Sequence, residues 1–154
     1  MNISQCMKHN VVSVPKHYSI REAAAVLVKS HIGLLPIVDE HNALIGVVGL
    51  RDLLSLELPD FVNFVKDLDF VHDFGAVEST RPLAAVLDQS IQILMKPPIT
   101  VSEDSGLLRV YALMLQHNLH DMPVLSENGK LVGIASRVDV GTAILSSWEK
   151  VGAS

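Results

Sequence analysis

An α/β fold built from two copies of one strand–helix–strand–strand–helix unit is what this sequence predicts, on three observations. The stretch LVGIASRVD at 131–139 has a weaker copy, LIGVVGLRD, at 44–52, a constant 87 residues earlier. Upstream of each copy, apolar residues pass from strand spacing to helical spacing and back in the same order. A proline, a glycine and an aspartate keep register between the copies: Pro36 with Pro123, Gly46 with Gly133, Asp52 with Asp139. Each unit is too small to bury its own sheet, so the two are expected to pack face to face about a pseudo-twofold axis.

In the first copy, 11–14 is a β-rich run closed by Pro15, after which Ile20, Ala23, Ala24, Leu27 and Val28 recur at helical spacing. Ser19 with Glu22 three residues on reads as a capping box, and Gly33 as the helix stop. Residues 34–38 form a strand whose Pro36, lacking an N–H, suits a strand start or an edge. A polar turn at 39–42 leads to a strand at 44–48, and a short helix at 51–56 stops near Pro59. The second copy repeats this order. Its strand is 99–101, and its helical stripe is Leu107, Val110, Tyr111, Met114 and Leu115, ending near Asn118. A strand at 122–125 is joined through Asn128-Gly129 to one at 131–135, and a last helix runs over 137–148.

The division is thus 1–56 for the first repeat, 57–93 for an insert and 94–154 for the second repeat. All four phenylalanines, Phe61, Phe64, Phe70 and Phe74, fall in the insert. There Phe61, Phe64, Val65 and Leu68 mark one helical face, as for a helix packed on the repeats, on a subunit interface or on a partner. Residues 75–82 read as a loop and 83–95 as a helix leading into the second repeat.

Apolar residues make up 49% and charged residues 19% of the chain, enough for a core. A net charge of −5 argues against a protein that coats nucleic acid, since that requires a basic surface. Cys6 is the only cysteine, which excludes an internal disulfide or thiolate metal cluster. With no signal-peptide pattern and no membrane-length apolar run, the expectation is a soluble, cytoplasmic protein, not bound to membrane.

The chemistry concentrates where each repeated stretch turns from strand to helix. Unpaired N–H groups at a helix start favour an anion, and a carboxylate three residues beyond a hydroxyl lies on the same side of the first turn. Ser136 and Asp139 have this spacing, and Asp139 could accept hydrogen bonds from a sugar diol. Ser136 capping its helix, with Asp139 an ordinary first-turn acid, is the plainer alternative. In the first copy Asp52 is present, but Gly49 stands where the hydroxyl belongs.

These motifs together resemble a pair of cystathionine-β-synthase (CBS) domains, the arrangement called a Bateman module. The resemblance rests on Met7-Lys8 and Met95-Lys96 opening the copies, VSVP and ITVS, LLPIVDE and DMPVLSE, then LIGVVGLRD and LVGIASRVD. It implies a binding module for AMP, ADP or ATP, with S-adenosylmethionine or NAD as further adenosine ligands and no required cofactor. The family's ribose-binding pattern falls on Ser136 and Asp139, and only on Asp52 in the first copy. The opening strands would line the base pocket, through Val12, Ser13 and Val14 or Ile99, Thr100 and Val101, flanked by Leu35 or Met122. Phosphates would meet Arg137, His120, Lys8 or Arg51, arginine offering a planar fork of donors. The resemblance further implies a disc-like homodimer that senses its ligand and is read out by a separate regulated protein.

The alternative is a ligand-independent dimeric scaffold that uses the Phe-rich insert. His117 and His120 with Asp121 are the candidate metal ligands, and the helix end near Asn118 disfavours them. No nucleophile elbow, phosphate loop or metalloprotease motif supports an enzyme.

Overall fold

The computed structural model describes residues 1–58 and 75–152. The four phenylalanines of the insert, and the helical face assigned to them, lie outside the described residues. The elements are β1 (Val14–Pro15), α1 (Ile20–Ser30), β2 (Leu34–Val38), β3 (Leu44–Gly49), α2 (Leu50–Leu54), α3 (Ala84–Leu87), β4 (Val101–Ser102), α4 (Leu107–Gln116), β5 (Asp121–Leu125), β6 (Leu131–Ser136) and α5 (Arg137–Ser146). They form two three-stranded sheets, β1-β2-β3 and β4-β5-β6. In each, the first strand runs parallel to the second and the second antiparallel to the third. The predicted α/β pair of repeats is therefore the observed architecture. Among the described residues no helix is long and apolar enough to cross a membrane.

Local chemistry explains the helix limits. Ser19 Oγ accepts from the Glu22 N–H at 3.0 Å while Glu22 Oε1 accepts from the Ser19 N–H at 3.2 Å, completing the expected capping box of α1. The helix stops at His31, not Gly33: His31 takes the left-handed conformation, φ 53°, and its N–H returns to the carbonyls of Leu27 and Val28. Asn118, the residue equivalent to His31 after α4, has the same φ of 53°. Gly33 serves the next junction, where its carbonyl accepts the N–H of Leu50 at 3.0 Å.

Pro36 and Pro123 lie within the central strand of each sheet, not at a start or an edge. Proline is tolerated there because its partner across the ladder bonds elsewhere. Pro36 faces Val47, whose N–H and C=O bond to Lys96 at 3.0 and 2.9 Å. Pro123 faces Ile134, which bonds to Lys8 at the same two distances. On the other side, pairing with β1 or β4 begins only at Ile37 and Val124, so neither ladder needs the missing N–H.

Those bonds reveal an exchange of segments. Lys8, at the beginning of the chain, extends the second sheet, and Lys96, after the insert, extends the first. Ile3 and Met7 complete the second core, beside Val110, Met114, Met122, Val124, Ala135 and Val140. Ile91 completes the first, beside Ile20, Leu27, Leu35, Ile37 and Val48, with Val86, Leu87, Leu94 and Met95 packed against it. To do this the stretch expected as one helix over 83–95 breaks into α3 and a 3₁₀ turn at Ile91–Leu94, with Ser90 capping the turn. Residues 75–79, expected as loop, form another 3₁₀ turn. The two halves also meet at their hairpin tips, where Asn42 Nδ2 donates to the Leu131 carbonyl at 3.3 Å and Lys130 Nζ to that of His41 at 2.6 Å.

The shared glycines allow the exchange. A Cβ on Gly133 would overlap the side chain of Met7, and one on Gly46 that of Met95. Met7 is buried and cannot swing aside. Gly133→Ala is therefore expected to cost about 1–3 kcal/mol by overpacking, checked by urea unfolding.

Candidate adenosine-binding cleft

The turn from β6 into α5 carries the residues singled out by the sequence. Ser136 is the N-cap in extended conformation; its Oγ accepts from the Asp139 N–H at 3.0 Å, and Asp139 Oδ2 accepts from the Ser136 N–H at 3.3 Å. The plain capping role is thus real, but it uses one carboxylate oxygen and leaves the hydroxyl proton free to donate. Both side chains line a cleft, together with Lys8, Asn10, Val12, Asp121 and Ile134, closed by residues 31–34 at the end of α1. Its walls therefore come from both repeats.

Strand alternation decides which expected residues reach it. Leu35 and Met122, expected to flank the ligand, are fully buried in the two cores. Their predecessors Leu34 and Asp121 point the other way, into the cleft. Val12 lines it, whereas Val14 is buried in the first core and Ser13 is not among the lining residues. The strand opening the second repeat lies elsewhere: Thr100 and Val101 line a separate groove with Arg109 and Ser126, Val101 also entering the second core, while Ile99 borders neither. The cause is the segment exchange, which carries residues 8–12, not 99–101, alongside Ser136.

Of the cations considered for phosphate, only Lys8 lines the cleft. Arg137 is committed to the end of α4: its Nε donates to the Leu119 carbonyl at 2.7 Å and its Nη2 to Asn118 Oδ1 at 3.3 Å and the Met114 carbonyl at 3.5 Å. The Met114 carbonyl also accepts the Leu119 N–H at 2.8 Å, so the guanidinium ties the turn that follows α4 to the start of α5. Arg137→Met should accordingly lower stability by about 1.5–3 kcal/mol in urea unfolding, the scale of hydrogen bonds to a charged group. His120 is exposed outside the cleft, its carbonyl accepting the Arg137 N–H at 2.9 Å. His117, His120 and Asp121 form no metal-holding group; among the described residues no three such side chains converge.

In the first repeat the equivalent aspartate is already paired. Asp52 Oδ2 accepts from the Gly49 N–H at 2.8 Å, and its Oδ1 pairs with Lys96 Nζ at 2.5 Å. Arg51 is exposed beside it in a shallow groove shared with residues 93–96. Lys8, which holds the place of Lys96 in the other half, forms no such pair with Asp139.

Burial pushes the Asp121 carboxyl above its ordinary range; Lys8 and His120 oppose the shift and Asp139 adds to it. Burial, then the nearby Asp139 charge, likewise raises the Cys6 thiol, which makes it a poor nucleophile. Asn10 and residues 31–34 carry no motif that marks them for the cleft, and Asp121 stands in the sequence only as a possible metal ligand beside His117 and His120. Asp121 was legible in principle, since a core-facing Met122 obliges its neighbour to face away.

Fold and cleft together define a tandem pair of α/β repeats with a cleft at their junction. The chain belongs to the CBS-domain family, whose model matches it twice, at residues 3–58 and 90–146. A curated relative, the chloroplastic CBS domain-containing protein CBSX2 of Arabidopsis thaliana, is 28% identical over 145 residues, 90% of this chain and 60% of its own length. The chain thus spans about three-fifths of that relative. The crystal structure of CBSX2 in complex with AMP superposes with a TM-score of 0.71 at 27% identity, covering 95% of this chain and 97% of that one. The CBS domain pair of protein MJ0100, solved with 5′-methylthioadenosine and S-adenosyl-L-methionine, gives 0.70 at 23% identity over 96% and 98% of the two chains, a likeness of fold.

Proposed function

We propose that this protein is a regulatory module, not a catalyst, that binds one adenosine-containing ligand per chain in the Ser136–Asp139 cleft. The observation that carries this reading is that the cleft is built from both repeats. A ligand seated there touches residues 8–12 and 31–34 on one side and β5, β6 and α5 on the other. It therefore favours one arrangement of the halves over others, which is what a sensor requires. Asp139 takes the ribose diol and Ser136 donates from its hydroxyl. The AMP complex of CBSX2 supports the ligand class.

Readout falls to a separate protein in a reducing, cytoplasmic compartment, where Cys6 stays a thiol. Pairing into a homodimer is supported by apolar side chains left outside on the helices, among them Val28, Leu54, Leu108, Leu115, Val138 and Trp148.

Thermal unfolding of the full chain with AMP, ADP, ATP, NAD, 5′-methylthioadenosine, S-adenosylmethionine and S-adenosylhomocysteine tests the reading. A ligand at 100 times its dissociation constant adds about 2.7 kcal/mol and raises the transition visibly. If none shifts it at millimolar concentration, the ligand-independent scaffold replaces the sensor.

A further inference from the structure

Two opposite charges face the Ser136–Asp139 cleft without being paired to one another. Asp121, the first residue of β5, is half-buried and lines the cleft close to Gly33. Lys8 lines the same cleft and its charge reaches Asp121, yet no ion pair joins them among the described residues. The first repeat differs at both positions. Leu34 stands where the second has Asp121, and Lys96 is bound to Asp52.

A ligand's 5′ substituent would meet this pair once its ribose is held by Asp139. A phosphate there faces two carboxylates, Asp121 and Asp139, against one ammonium, Lys8, with the His31 imidazole the other basic group of the lining, because the Arg137 guanidinium is engaged beyond the end of α4. Like charges brought together in a partly desolvated site oppose binding. A zwitterion meets no such opposition, since an α-ammonium can pair with Asp121 while an α-carboxylate pairs with Lys8. Leaving Asp121 half-buried and unmatched has a cost that such a substituent reduces.

We infer that Asp121 is a specificity residue that selects adenosine ligands bearing a zwitterionic 5′ substituent, an α-amino acid carried on a 5′-thioether or sulfonium, over adenosine 5′-phosphates. This rests on the proposed adenosine reading of the cleft. Calorimetric titration of the full chain with S-adenosylhomocysteine, 5′-methylthioadenosine and AMP tests both separately. The wild-type protein should bind S-adenosylhomocysteine about tenfold or more tighter than AMP. Asp121→Asn, close to isosteric, should shrink that ratio about tenfold while leaving the uncharged 5′-methylthioadenosine unaffected. Lys8→Met should weaken S-adenosylhomocysteine but not 5′-methylthioadenosine. Preference for AMP in the wild type, or a ratio unmoved in Asp121→Asn, overturns the role of Asp121 while 5′-methylthioadenosine binding keeps the adenosine reading intact. Absence of binding by all three removes both.

Discussion

Truncation of Ile91 to alanine is expected to destabilise the protein by about 2–5 kcal/mol, although the sequence alone assigns Ile91 to the insert. Its side chain is wholly buried among Ile20, Leu27, Leu35 and Ile37. The backbone around it is tied down, so the vacated space cannot easily collapse. The Ile91 N–H donates to the Tyr18 carbonyl at 2.8 Å, the Ile20 N–H to that of Gln89 at 2.9 Å, and Ser90 Oγ to that of Lys16 at 2.7 Å. The exposed Arg21–Asp88 ion pair beside them contributes little. Ile93, two residues on and 57% exposed, is the internal control: Ile93→Ala should change stability by no more than about 0.5 kcal/mol. Urea unfolding of the two variants measures the difference, and equal losses would place Ile91 outside the core.

Ile91 also marks the boundary of what could be read in the chain. Periodicity exposed the apolar face of α1 and α4, and the Ser19–Glu22 and Ser136–Asp139 boxes announced two helix starts, because these signals are local. Which core a short segment enters is not a local property. Met7 and Met95 each precede one repeat in sequence and pack on the other's sheet, over Gly133 and Gly46. The matching glycines recorded that close approach, but nothing in their spacing named the partner. Likewise the alternation around Pro36 and Pro123 identified strands without fixing which face met the ligand. Leu35 and Met122 face the cores, and it is Leu34 and Asp121 that face the cleft. Arg137 is drawn away from the cleft for a related reason: the carbonyls that hold its guanidinium, Leu119 and Met114, lie 18 and 23 residues away in sequence.

Asp139→Asn should weaken adenosine-ligand binding about tenfold or more, the cost of losing charge-assisted hydrogen bonds to a sugar diol. Asparagine is the informative replacement because the carboxylate has two duties. Its Oδ2 accepts from the Ser136 N–H, a contact the amide oxygen of Asn can keep, so the helix start and overall stability should survive. Asp139→Ala would remove both duties and confuse a cap lost with a ligand lost. The first repeat supplies the contrast. Asp52 is held between the Gly49 N–H and Lys96 Nζ, and no serine hydroxyl stands at position 49. Asp52→Asn should therefore leave affinity unchanged, and titration of the wild type should saturate at one ligand per chain. Equal losses from the two substitutions, or two ligands per chain, would show that the Asp52–Lys96 pair does not keep ligand from the first repeat.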